Sequence, residues 1–205
     1  MFYQHHRSVK PDAEDVLLIH GWGVSGRVWQ GCITELVKDF HLTIVDLPGF
    51  GKSRDVDSLP LAALLNELDG VMVGEYSVIG FSLGGMLAVQ LAQQCPQRVQ
   101  KVITIGANAV FVQQEQWSQA IPFETYQQFY ALAEHSPALM LKRFLLIQAK
   151  GSENEKTVVK KLRFLADEIT PSPENLCHSL NLLVEIDNRQ ALKTLSQPVM
   201  CLLGE

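Results

Sequence analysis

The run Tyr76-Ser77-Val78-Ile79-Gly80-Phe81-Ser82-Leu83-Gly84-Gly85-Met86-Leu87-Ala88 sets a serine between glycines, after an apolar stretch of strand length and before a helix-forming one. A G-x-S-x-G turn in that setting is the nucleophile-elbow pattern, in which a tight strand-to-helix turn presents the serine hydroxyl above a sheet. The two backbones approach so closely there that the positions two before and two after the serine leave little room for a side chain. A helix that opens at the serine leaves the Leu83 N–H without a partner inside the helix, where it faces a developing oxyanion. The chemistry this suits is covalent attack by Ser82 on a carbonyl carbon. For the pentapeptide alone a Gly-rich turn without chemistry is the plainer alternative. Both flanks being of the right type favours the nucleophile.

The elements that must position this serine follow from hydrophobic patterning. Val16-Leu17-Leu18-Ile19 is an unalternating apolar run, as in a parallel strand covered on both faces, and it ends at His20-Gly21-Trp22-Gly23. Trp29, Ile33, Leu36, Val37 and Phe40 recur at helical spacing and predict a helix from about Val28 to Phe40. A strand at Leu42–Val45 leads into the Pro- and Gly-marked loop Asp46–Ser53, and a helix is expected from about Leu59 to Leu68. After the elbow helix, to about Gln93, comes a strand at Val102–Ile105. This alternation predicts an open, mostly parallel α/β sheet with helices on both faces and a site at the carboxyl ends of its strands. From about Phe111 to Asp187 the alternation stops. Prolines divide the segment into helical pieces near 123–134, 137–149, 153–168 and 173–186, which read as a lid inserted over the site. A short helix near 188–195 and a strand at Val199–Leu203 return to the sheet. The expected organisation is therefore a core at 1–110, a lid at 111–187 and a return to the core at 188–205.

Length and composition fit one soluble domain with an insertion: 205 residues, 47% apolar, 19% charged, net charge −5. No apolar run approaches membrane-spanning length and the N-terminus has no signal-peptide core. Cys32, Cys95, Cys177 and Cys201 are scattered, without metal or redox spacing, and are expected to be reduced and mostly buried in a cytoplasmic protein. Neither a metal nor another cofactor is expected, and a monomer is.

Taken in order, His20-Gly21-Trp22-Gly23, Asp46-Leu47-Pro48-Gly49-Phe50-Gly51-x-Ser53 and Gly80-x-Ser82-x-Gly84-Gly85 resemble successive signatures of the α/β-hydrolases. Within them, Trp22 and the stretch Arg143-Phe144-Leu145-x-x-Gln148-x-x-Gly151 resemble the pimeloyl-acyl-carrier-protein methyl ester esterases of biotin synthesis. The resemblance runs along essentially the whole chain but covers only the front part of such an enzyme. It implies Ser82 as nucleophile, the backbone N–H groups of Trp22 and Leu83 as oxyanion hole, and Phe144 and Gln148, one helical turn apart, as walls of an acyl channel. The plainer alternatives are an apolar plug for Trp22 and lid packing for Phe144.

Between Lys142 and Arg163 lie seven basic residues against Glu153 and Glu155, so this segment carries +5 while the rest of the chain carries −10. Such a patch steers an acidic macromolecule toward the lid. The resemblance makes that partner acyl carrier protein, with Arg143, Lys156 and Lys160 at the contact and Leu139 where such enzymes can carry another basic residue. The alternative is a solvated helix face. Nucleic acid does not fit an acidic chain of this kind.

A serine needs a histidine base and an acid that orients it, in the chain order serine, acid, histidine. The six histidines are His5, His6, His20, His41, His135 and His178, and none follows the strand at Val199–Leu203. His20 is expected to be structural, His135 and His178 belong to the lid and are minor candidates for the base, and Glu205 stands near the expected acid position with no histidine after it. The sequence therefore reads as a fragment lacking the last strand, the last helix and two triad members, and is expected to be inactive by itself. Two further functions remain open: a general small-molecule carboxylesterase or carbon–carbon-bond hydrolase, and a hydrolase-like domain that binds without chemistry.

Overall fold

A computed structural model describes residues 1–165 and 171–204. Six strands form one sheet: β1 (Phe2–His6), β2 (Glu14–Ile19), β3 (Phe40–Asp46), β4 (Tyr76–Phe81), β5 (Val99–Ile105) and β6 (Val199–Leu202). Their spatial order is β1-β3-β2-β4-β5-β6. Only β1 runs antiparallel, against β3; the other neighbours are parallel. The chain leaves β2 for β3 on one side and returns to β4 on the other. The loops that follow β2 and β4 therefore flank the point where strand order reverses, which is where an open α/β sheet forms its crevice. Ile19 pairs with Gly80, so His20–Gly23 and Ser82 emerge side by side.

Leu17, Leu18 and Ile19 are fully buried, because helices cover both faces of the sheet. Val16, Leu18, Leu42 and Ile44 pack on one face beneath α1 (Gln30–Leu36). Leu17, Ile19, Val45 and Val78 pack on the other with α2 (Leu61–Gly70) and α3 (Leu83–Gln94). Each such side chain removed from water contributes about 1.5–3 kcal/mol.

Among the described residues, four helices stand between β5 and α8 (Arg189–Thr194): α4 (Phe123–His135), α5 (Pro137–Ala149), α6 (Glu155–Leu165) and α7 (Pro173–Glu185). Pro137 and Pro173 sit in the first turns of α5 and α7, where the missing N–H costs nothing. The two ends of this helical stretch meet. Val110 and Asp187 form an antiparallel bridge, and the Asn188 N–H donates to the Ala109 carbonyl at 2.8 Å. Asn188, itself buried, donates from Nδ2 to the Met86 carbonyl of α3 at 3.1 Å.

Several sequence expectations need correction. The helix expected over 28–40 is a 3₁₀ turn at Gly26–Trp29 followed by α1, which ends at Leu36; Phe40 opens β3 and pairs with Glu14. The strand β1 carries no apolar pattern and was not expected, so the strand expected as the fifth is the sixth. Of the four cysteines only Cys177 is buried; Cys201 is exposed, because β6 has few neighbours beyond β5. Residues 166–168 of the expected third lid helix, and Glu205, lie outside the described residues.

Candidate active site

Ser82 occupies the turn between β4 and α3 with φ 52° and ψ −116°, a left-handed conformation that a non-glycine residue rarely adopts. Such strain costs of order 1–3 kcal/mol and persists only where the surroundings over-determine it. Here they do. The Ser82 N–H donates to the Ile105 carbonyl at 2.8 Å, and its own carbonyl accepts from Gly85 and Met86 at 2.9 and 3.1 Å. The flanking glycines permit the turn: a Cβ on Gly80 would lie 2.1 Å from the Gly84 carbonyl oxygen, and one on Gly84 would lie 2.2 Å from that of Ile19. Leu83 opens α3, so its N–H is among the first-turn donors that find no carbonyl within the helix.

The neighbouring loop is held by His20, which is fully buried. The Leu47 N–H donates to His20 Nε2 at 2.9 Å, which leaves the ring proton on Nδ1 to donate to the Gly21 carbonyl at 2.7 Å. Both nitrogens are engaged, so this histidine fixes the loop. Asp46 pins the next one, its carboxylate accepting from the Gly26 and Lys52 N–H groups at 2.7 and 2.8 Å. The Asp46–Ser53 segment thus serves as scaffold.

Trp22 joins this floor to the helices above. Its ring stands edge-on to Phe144 of α5 at 4.7 Å and to Phe50 at 6.5 Å, and its Nε1–H donates to Ser179 of α7 at 2.8 Å. Of the residues expected at the site, the structure brings Trp22 and Phe144 into direct contact, with Leu83 beside Ser82. Gln148, one turn after Phe144, is half-buried, and its Nε2 is buried without a hydrogen-bond partner. Arg143, Lys156 and Lys160 are exposed on α5 and α6, helices that pack on one another.

No hydrogen bond ties the Ser82 hydroxyl to a histidine among the described residues. His178 Nε2 is bonded to the Leu59 carbonyl at 2.9 Å, and His135 is exposed beside Glu134. Among the described residues no group of histidines, cysteines and carboxylates could hold a metal ion, and no helix is long and apolar enough to cross a membrane. Two residues here escaped sequence reasoning. Ser179 and Asn175, both on α7, contact loops more than a hundred positions away, and no local pattern marks either.

Comparison with known proteins agrees with this geometry. Residues 16–204 match the family model described as the alpha/beta hydrolase fold. The chain is 34% identical over 200 residues to the pimeloyl-[acyl-carrier protein] methyl ester esterase of Nitrosomonas europaea, covering 97% of this chain and 79% of that protein. It is 38% identical over 191 residues to the biotin biosynthesis bifunctional protein BioHC of Cellvibrio japonicus, covering 93% of this chain and 38% of that protein. It thus spans well under half of that bifunctional relative. An esterase from Exiguobacterium antarcticum superposes with a TM-score of 0.81 at 20% identity, over 98% of this chain and 75% of the esterase, a likeness of fold. The chain belongs to the α/β-hydrolase fold family, in the group that contains the pimeloyl-acyl-carrier-protein methyl ester esterases.

Proposed function

We propose that this chain carries the nucleophile, oxyanion hole and lid of a serine carboxylesterase that cleaves the methyl ester of a pimeloyl group borne on acyl carrier protein. The observation that carries the reading is the backbone of Ser82, strained and yet locked on both sides. Ser82 Oγ attacks the ester carbonyl, and the N–H groups of Trp22 and Leu83 stabilise the oxyanion of the tetrahedral intermediate. Its collapse expels methanol and leaves an acyl-serine, which water then hydrolyses. Phe144 and Gln148 line the acyl channel from the lid, residues 111–187; the unpartnered Gln148 Nε2 fits a group reserved for a polar atom of substrate. The exposed Arg143, Lys156 and Lys160 receive the acidic carrier.

Deprotonation of Ser82 requires a histidine, and none of the described histidines is placed for it. The 205 residues alone are therefore expected to be inactive. A form of the protein that is supplied with such a histidine should hydrolyse pimeloyl-carrier methyl ester, with Ser82→Ala lowering kcat on the order of 10⁴-fold or more. Unchanged turnover in Ser82→Ala would sink the assignment. Reversing charge at Lys156 and Lys160 should slow the carrier-bound substrate and spare a short free ester. Equal effects on both would favour a general carboxylesterase. That no described histidine is bonded to the Ser82 hydroxyl also favours a second reading, a binding domain without chemistry, which predicts carrier binding but no turnover.

A further inference from the structure

We propose that Ser179 is a positioning residue for the oxyanion hole, acting through the Trp22 indole; this rests on the serine-esterase reading above. Ser179 Oγ accepts the Trp22 Nε1–H at 2.8 Å and donates its own proton to the Leu176 carbonyl at 2.9 Å. The hydroxyl proton is thereby committed to α7, and an oxygen lone pair is held toward the indole. Both side chains are buried, Trp22 at 1% and Ser179 at 4% exposure, so water does not compete for the bond.

The contacts of the indole divide the work. Phe144 and Phe50 pack edge-on to the ring, at 4.7 and 6.5 Å, but such aromatic packing tolerates small rotations and slides. The Ser179 bond is directional and removes that remaining freedom. On the other side of the Trp22 amide, His20 Nδ1 holds the Gly21 carbonyl at 2.7 Å. The Trp22 N–H therefore sits on a short length of backbone secured at one end by His20 and at the other by Ser179. Hydrogen bonding to an oxyanion weakens steeply with misalignment, so the donor is well aimed only while both anchors hold. One anchor belongs to the loop that follows β2 and the other to α7. The single bond from Ser179 to the indole, not the general seating of α7, is thus the condition for a competent oxyanion hole.

The test uses a catalytically active form of the enzyme and includes Ser82→Ala, which should abolish turnover. Ser179→Ala should lower kcat about tenfold with KM changed less than about twofold, because the donor is misaimed and not removed. Ser179→Thr, which keeps the hydroxyl, should restore most of kcat, and Ser179→Cys, close in volume with a weaker acceptor, should fall between. Asn175→Ala serves as the comparison, since it loosens α7 without touching Trp22; it should lower the unfolding midpoint and leave kcat within about twofold. In this 205-residue chain, the Trp22 indole N–H resonance should move and exchange faster in Ser179→Ala, and the other two indoles should not. Ser179→Ala and Ser179→Cys that lose no more kcat than Asn175→Ala, or that change KM alone, would overturn the positioning role and leave the esterase reading standing. Retained turnover in Ser82→Ala would remove both.

Discussion

Asn175 and Gly49 touch so closely that a Cβ on the glycine would lie 2.7 Å from the Asn175 Cβ. Around that contact Asn175 Oδ1 accepts from the Ser58 N–H at 3.0 Å and the Ser58 hydroxyl at 2.7 Å, while its Nδ2 reaches the carbonyls of Arg54 and Val56. With His178 on Leu59 and Ser179 on Trp22, α7 is fastened to the loops above the sheet by three side chains. Asn175→Ala should lower the free energy of unfolding by about 1–3 kcal/mol, because the buried side chain leaves its loop donors unpaired. Urea denaturation with an unchanged midpoint would show that α7 is held by packing alone.

Substitutions at Ser82 separate strain from chemistry. Glycine adopts φ 52° without penalty, so Ser82→Gly should stabilise the protein by about 1 kcal/mol after the entropic cost of glycine in the unfolded chain. Ser82→Ala keeps the strain and should be close to wild type in stability. Both remove the hydroxyl proposed as nucleophile. Equal midpoints for the two variants in chemical denaturation would mean that the turn stores no strain.

Acid should loosen the protein through two carboxylates. Glu14 accepts from Lys101 Nζ at 2.8 Å and from the Ser77 hydroxyl, and these bonds, Lys101 first, hold its pKa below the ordinary glutamate value against the opposing effect of burial. Hydrogen bonds from Arg189 hold the Asp187 carboxyl down in the same way. A carboxyl depressed in the folded state stabilises it fully above its unfolded pKa, and that contribution disappears as pH falls through the folded value. The unfolding midpoint should be flat near neutrality and drop below about pH 4.5. Glu14→Gln should lower the neutral plateau and make the acid drop shallower. A parallel pH profile would show that Glu14 contributes nothing to it.

The outer edge of β6 pairs with no strand among the described residues, and Met200, Leu202 and Leu203 are 57%, 48% and 70% exposed. An apolar, unprotected edge is a template for pairing between chains. The 205-residue chain should self-associate with rising concentration in light scattering, and Leu202→Lys should reduce that association. A monodisperse monomer at high concentration would show that the edge is covered by other means.

How much of this was legible in the sequence depended on the range over which each feature is specified. The elbow is local: Gly80, Ser82 and Gly84 declare a close approach that the structure shows at Ile19 and Gly84. Val16–Ile19 is an unalternating apolar run and needed no partner to be read. The strand β1 failed that criterion because Phe2–His6 is an exposed edge whose outward residues are polar. Phe40 misled because it continues the helical spacing of Ile33 and Leu36 by coincidence, while its backbone pairs with Glu14 across the sheet. The fastening of α7 lay beyond reach altogether. Ser179 and Trp22 are 157 positions apart, and a serine on a helix carries no sign of the indole it will meet.

The bridge between Val110 and Asp187 has a meaning in polymer terms. Where the ends of an insertion are clasped together, the sheet experiences everything between them as one closed loop, and doubling such a loop adds only about 0.6 kcal/mol of closure entropy. The sheet and the helical cap can therefore change size independently. A shorter or longer cap grafted between the same two residues should leave the strand order, and with it the position of Ser82, undisturbed.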